Sequence, residues 1–327
     1  MINEENISFR TDTEITELHE KVNVLRTEIQ KCLVGQDSMT DLLLTALLAN
    51  GHVLIEGVPG IAKTLAARLL AKSIDAGFSR LQFTPDLMPS DVLGTSVFHP
   101  ASVSFVFRKG PVFSNIVLID EINRAPAKTQ SALFEVMEER QVSYDGTTYP
   151  FAFPFMVLAT QNPVDHEGTY RLPEAQLDRF MFKILVTYPD AAEEIKILEL
   201  HHSGIHSAFD SVNAVITPAE LERYKQVIDT VHIEAKLQEY IVAIVQSTRN
   251  HPFIYIGASP RASLSLVYAA KAMAAIRGKG FVVPEDIQEL AYPVLRHRLV
   301  ISPEKEMEGL TTDDVISQIL RKIEVPR

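Results

Sequence analysis

The stretch HVLIEGVPGIAKT at 52–64 constrains this chain more than any other. Val53, Leu54 and Ile55 form an apolar run of the length of a buried parallel strand. Gly57, Pro59 and Gly60 break it, and beyond Lys63-Thr64 the residues Leu65, Ala66, Leu69 and Leu70 recur at helical spacing. Strand, glycine loop, Lys-Thr and helix together are the layout of a phosphate-binding loop. The candidate binding residues are therefore Gly57, Val58, Pro59, Gly60, Ile61, Ala62, Lys63, Thr64 and Leu65. In such a loop backbone N–H groups and a helix N-terminus face an anion, the lysine reaches the β- and γ-phosphates, and the hydroxyl of Thr64 holds Mg²⁺. One letter departs from GxxxxGK[ST]: Ala62 stands where the last glycine belongs. Alanine there implies a backbone without positive φ, as in a residue already entering the helix.

Extended and helical patterns alternate after the loop. Short apolar runs at 81–83, 115–120, 155–160 and 181–186 read as strands, and 128–139 as an amphipathic helix. This rhythm predicts a parallel sheet covered by helices on both faces. Two segments, 102–113 around Lys109-Gly110 and 141–151 around Asp145-Gly146, alternate apolar and polar residues and read as hairpins. Upstream, Ile15, Leu18, Val22, Leu25 and Ile29 mark a helix over 12–32, with Thr11 and Glu14 as its capping box. A second helix covers 39–50. Past residue 187 strand patterns stop, and 191–202, 217–230, 235–250, 259–278, 284–299 and 312–323 read as helices. Two domains are expected, an α/β unit over 1–187 and an all-helical unit over 188–327.

The chain has 327 residues and a formal net charge of −11, which argues against non-specific binding to nucleic acid. Cys32 is the only cysteine, so no disulfide forms within the chain. The sequence MINEENISFR lacks the basic and apolar regions of a signal peptide, and no apolar stretch is long enough to span a bilayer. A cytoplasmic protein without membrane insertion is expected.

Four further features carry chemistry. Asp120 and Glu121 follow the apolar run Val117–Ile119, at the strand end where ligands sit in open α/β sheets. There Asp120 positions Mg²⁺, through water, and Glu121 polarises an attacking water. Asn162, just past the strand at 155–160, lies between these loops and can hold that water. Arg179, between apolar neighbours in LDRF, can neutralise transition-state charge as an arginine finger. Arg171 competes for that role, and an ion pair of Arg179 with Asp178 or Glu174 is the plainer reading. Arg261, in the first turn of a helix at SPRASL, would couple nucleotide state to domain closure if it lay over the phosphates.

Taken together these motifs resemble AAA+ ATPases, and more narrowly the MoxR family. GVPGIAKT (57–64) resembles that family's Walker A, in which alanine before the lysine is common. LIDEINRA (118–125) resembles its Walker B, ATQNP (159–163) its sensor 1, LPEAQLDRF (172–180) its arginine-finger segment, and SPRA (259–262) its sensor 2. The resemblance runs from Val34 to about Leu299. It implies a five-stranded parallel sheet of order 5-1-4-3-2, a C-terminal helical lid, and ATP hydrolysed with Mg²⁺ between the subunits of a hexameric ring. Gly35 and Gln36 match the segment along the adenine, and Arg179 would act on a neighbour's ATP. The hairpin at 102–113 would match the family's helix-2 insert. A chaperone-like role toward a protein client, beside a partner with a von Willebrand A domain, is the implied use of the energy.

Two other functions compete with this reading. A nucleic-acid motor shares the helix-2 insert, but the hairpin offers only Arg108 and Lys109 as cations. A slow nucleotide-gated scaffold is the second. Other candidates are weaker: His201, His202 and His206 have no matching acidic or cysteine ligand. Phe105, Phe107 and Phe113 fit either a gripping loop or hairpin packing, while Phe83, Phe98 and the methionines read as core.

Overall fold

In the computed structural model, residues 4–326 are described except 59, 102, 163–169, 171 and 203–204; the side chains of 4–12 and 205–207 also lie outside the description. Five strands build the central sheet: β1 (Val53–Gly57), β2 (Phe78–Gln82), β3 (Ile116–Asp120), β4 (Met156–Gln161) and β5 (Phe182–Val186). They lie side by side in the order β5-β1-β4-β3-β2, all parallel, as expected for an AAA+ core. The two-residue period of the strands explains why both faces are covered. Val53, Ile55, Ile116, Leu118, Met156 and Leu158 enter one core, whereas Leu54, Val117, Ile119, Val157 and Ala159 enter the other.

The second core lies beneath the helix Ala127–Glu139, which contributes Leu133, Phe134, Val136 and Met137. Two antiparallel ribbons flank it. The ribbon Gln141–Tyr144 with Thr147–Pro150 turns at Asp145-Gly146, as its sequence predicts. The other pairs Gly94–His99 with Ser104–Lys109, so the chain reverses between these strands and not at Lys109-Gly110. Gly110 marks the ribbon's base instead: a Cβ there would lie 2.4 Å from Val92 O, and one at Gly94 2.2 Å from Arg108 O. Glycine is required by this close backbone approach and not by a turn. Phe107 stacks on Tyr144 at 4.8 Å, and Phe113 stacks on Phe151, which stacks on Phe155. Phe107 and Phe113 are therefore packing residues. Phe98, expected in the core, is 48% exposed on the ribbon, and Phe105 is 71% exposed. Met88 and Met307 are also exposed, against expectation.

The first core is larger and continuous from the sheet into the C-terminal helices. The N-terminal helix begins at Glu4, upstream of the expected cap at Thr11, and runs to Gln30. Its buried stripe Ile15, Leu18, Val22, Leu25 and Ile29 packs among the helices Lys63–Ser73, Pro218–Asp229 and Pro260–Ile276. Ion pairs Lys21–Glu220 and Arg223–Glu17 rim this contact, and His19 Nδ1 donates to Ile276 O at 2.7 Å. Beyond Val186 the chain is mainly helical, with Thr217 and Glu220 forming the expected capping box. One difference is a short antiparallel pair, Ile254–Ile256 with Val300–Ile301, which closes the helical bundle where periodicity shows only helices. Among the described helices none is long and apolar enough to cross a membrane.

Candidate functional site

The loop after β1 is held open by local geometry. A Cβ on Gly57 would meet Ile61 Cδ1 at 2.5 Å and the main-chain oxygen of Val186 at 2.7 Å, so only glycine fits beside the end of β5. Gly60 has φ +88°, a left-handed conformation natural to glycine. Ala62 also has φ +59° and ψ +21°, which corrects the expectation of a helical residue at this position. The loop imposes the left-handed turn whichever residue is present, and alanine accepts strain of about 1–2 kcal/mol there. Pro59 lies outside the described residues.

The helix Lys63–Ser73 then starts with no side chain capping it. By helix geometry the first N–H groups, on Lys63, Thr64 and Leu65, have no acceptor within the helix, the arrangement that makes a helix N-terminus able to bind an anion. Lys63 is partly buried and donates from Nζ to Gly57 O at 2.7 Å. Burial pulls its pKa below the usual lysine value, while Asp120, Glu121 and Glu56 act in the opposite direction. A half-buried ammonium resting on one carbonyl among carboxylates can exchange that carbonyl for the oxygens of an anion.

Asp120 and Glu121 stand at the C-terminal end of β3, one strand away from β4 and two from β1. Buried Asp120 receives a bond from Arg80 Nε at 2.7 Å and another from Thr160 Oγ1 at 3.2 Å. Glu121 has φ +57°. Its carboxylate accepts from Gln82 Nε2 at 2.7 Å and pairs with Arg124 at 3.1 Å. Arg80, Gln82, Arg124 and Thr160 were not singled out by the sequence. Parallel pairing brings Arg80, Gln82 and Thr160 to the carboxylates (Gln82 lies opposite Asp120), so only the strand order could have revealed these three; Arg124 is three residues from Glu121 and was within reach of the local sequence. The hydroxyl of Thr64 and the Asp120 carboxylate are hard oxygen donors, a set that suits Mg²⁺ shared with phosphates. Asn162 follows directly on β4, half-buried on the same sheet edge.

Arg179 and Arg261 lie elsewhere. Both line a groove with Gly51 and His52, which precede β1, whereas the phosphate loop follows β1. A strand of five residues separates the two ends by about 16 Å. Arg261 is therefore not over its own chain's phosphate loop. It donates from Nη2 to Glu138 Oε1 at 2.6 Å, and Arg179 Nε lies 3.6 Å from Glu138 Oε2. The expected partner Asp178 is instead bound by Arg298, through Nε at 2.7 Å, and by the hydroxyl of Ser259 at 2.8 Å. Arg298 is 2% exposed and also donates to the main-chain oxygens of Asp178, Phe180 and Met181. His297 donates to Phe180 O at 3.0 Å. Burial lowers the pKa of both His297 and Arg298. The segment carrying Arg179 is thus clamped to the helical region. Nothing in local sequence signals Glu138 or Arg298, and Arg171 lies outside the described residues.

Gly35, with φ +71°, and Gln36 border a cleft of about 700 Å³ together with Ile184, Thr187, Tyr292 and Arg296. The cleft joins the end of β5 to the helical region, beside the phosphate loop. His201 and His202 are exposed at a helix end, and the His206 side chain lies outside the described residues.

Comparison with known proteins bears on the family and the fold. Residues 52–182 match the AAA_3 family of ATPases associated with various cellular activities, and residues 246–319 match an AAA lid domain. The chain is 46% identical over 310 residues to YeaC of Bacillus subtilis, an uncharacterised protein, spanning 95% of this chain and 96% of that one. It is 42% identical over 309 residues to the chaperone MoxR1 of Mycobacterium tuberculosis, spanning 92% of this chain and 81% of that one. A crystal structure of a Cytophaga hutchinsonii protein assigned as an ATPase superposes with a TM-score of 0.91 at 42% identity, over 99% of this chain and 100% of that one.

Proposed function

This chain belongs to the MoxR family of AAA+ ATPases, and we propose that it hydrolyses ATP at subunit interfaces to remodel a protein client. The observation that carries the reading is the placement of Arg179 and Arg261 at the opposite end of β1 from Lys63. Neither side chain spans about 16 Å to its own phosphates, so both serve a neighbouring subunit. A closed ring is the arrangement that gives every subunit such a neighbour, and a hexamer is proposed.

Within one subunit the loop Gly57–Leu65 cradles the phosphates with backbone N–H groups, and Gly35 and Gln36 border the cleft for the adenine. Lys63 moves from Gly57 O to the β- and γ-phosphates. Bound Mg²⁺ would neutralise charge on those phosphates, and Thr64 and Asp120 are the residues to hold it, Asp120 through water. Asp120 must first release Arg80. Glu121 turns from Gln82 and Arg124 toward the attacking water, which Asn162 holds in line. Arg179 and Arg261 from the neighbour then stabilise the charge that develops on the transferred phosphoryl group.

The boundary between the α/β unit and the lid is proposed at residue 187, where β5 has just ended. The client surface is proposed at the ribbon 94–109, whose tip exposes Val97, Phe98, Phe105 and Val106. Of the aromatic residues considered for gripping, Phe105 alone remains available, since Phe107 and Phe113 are stacked inward. A von Willebrand A partner and a cytoplasmic location complete the proposal.

Mixing two inactive variants tests the interface. Glu121→Gln subunits bind ATP and retain Arg179; Arg179→Ala subunits retain Glu121. Mixed assemblies are expected to recover hydrolysis, because some interfaces pair an intact Glu121 with an intact Arg179. Mixtures no more active than the two separate preparations would refute action across an interface.

A further inference from the structure

We infer that Glu138 is a positioning residue that holds Arg179 and Arg261 as a pair, at the spacing needed to grip one phosphoryl group of the neighbouring subunit. The inference rests on the interface reading above. Each carboxylate oxygen serves one arginine: Oε1 accepts from Arg261 Nη2 at 2.6 Å, and Oε2 lies 3.6 Å from Arg179 Nε. A guanidinium carries five N–H donors in a rigid fork, so an arginine held at one edge keeps its other edge for phosphate oxygens. Glu138 can therefore stay in contact while both arginines reach outward.

The electrostatics of the groove require such a carboxylate. Arg261 occupies the first turn of the helix Pro260–Ile276, next to its cap Ser259, where the helix dipole disfavours a cation. Arg179 brings a second positive charge, and Arg140 and buried Arg298 add two more. Of the carboxylates lining the groove, Asp178 is taken by Arg298 and Ser259, which leaves Glu138 for the pair. Glu138 sits in the last turn of the helix Ala127–Glu139, fixed from below by Phe134 and Met137 in the sheet's second core. Its Cα is rigidly placed, so two long, flexible side chains share one anchored reference point. Without it each arginine regains several rotamers that must be frozen again in every catalytic cycle.

The test is Glu138→Gln in the full chain, assayed by steady-state ATP hydrolysis beside Arg179→Ala. Glutamine keeps the shape and one acceptor but loses the charge and the second acceptor. Because the arginines contact phosphate in the transition state, the expected result is a roughly 5- to 30-fold fall in kcat with KM for ATP changed by less than about twofold. Glu138 is 38% exposed in its side chain, so the thermal midpoint should not move. The readout that separates positioning from mere structure is non-additivity. In single-turnover measurements, Glu138→Gln should cost nothing further in a chain already carrying Arg179→Ala and Arg261→Ala. An unchanged or raised kcat in Glu138→Gln, or an equal further loss in that background, overturns the role of Glu138. Normal turnover by Arg179→Ala alone overturns the interface reading beneath it, a separate outcome.

Discussion

Replacing Asp178 by asparagine should loosen the clamp between the lid and the segment bearing Arg179. Arg298 is 2% exposed, and Asp178 supplies its one carboxylate, through Nε at 2.7 Å. Removing one partner of a buried pair usually costs about 3–5 kcal/mol, because the other charge stays desolvated and unpaired. Here the asparagine oxygen can still accept from Nε, and the main-chain oxygens of Asp178, Phe180 and Met181 still accept from the other nitrogens. The expected loss is therefore at the lower end, about 2–3 kcal/mol. Urea unfolding followed by circular dichroism would measure it, with ATP hydrolysis recorded on the same samples. Activity should fall more than the folded fraction does, since Arg179 adjoins the altered residue. A loss under about 1 kcal/mol would refute the reasoning, because it would mean that Arg298 keeps its water and the clamp is not closed.

Two further substitutions probe other parts of the fold. At Ala62, held at φ +59°, Ala62→Val should destabilise by about 1–3 kcal/mol, whereas Ala62→Gly should be close to neutral as relief of strain offsets the added chain entropy. If glycine costs about 1 kcal/mol and valine much less, the residue is helical and the left-handed turn is wrong. Buried His52 is pushed down to about 3, first by desolvation and then by Arg140, so it is neutral in the folded chain near neutral pH. As pH falls below about 6.5 the unfolded chain takes up a proton that the folded chain refuses, so stability declines until about pH 3. His52→Gln should flatten the decline in urea midpoint between pH 7 and 4; an unchanged slope would assign the acid sensitivity to other groups.

Much of this architecture could be read locally. Apolar runs at 53–55 and 116–119, with the glycine loop and the paired carboxylates, are short-range patterns whose physics needs no tertiary knowledge. Resemblance to the family added the strand order. What escaped reading depends on contacts between distant residues. Gly110 looked like a turn because turns and close backbone approaches both favour glycine, and only the partner strand distinguishes them. Ala62 shows the opposite: alanine disfavours positive φ, yet the loop overrides the preference of a single residue. Glu138 meets Arg261 across 123 positions, and Arg298 meets Asp178 across 120, so no window along the chain contains either pair.

The N-terminal helix has a consequence for how the chain is made. Leu18 and Leu25 are fully buried, and His19 bonds to Ile276, 257 positions later. The helix leaves the ribosome long before the helix Pro260–Ile276 that covers its apolar stripe exists. At ~5–20 residues per second the stripe stays uncovered for something like ten seconds or more. During synthesis this helix is thus itself an exposed hydrophobic peptide in need of shelter. Arrival of the helix Pro260–Ile276 seals the stripe, so a chain that stops before residue 276 leaves it open to the proteases and holdases that recognise unfolded protein.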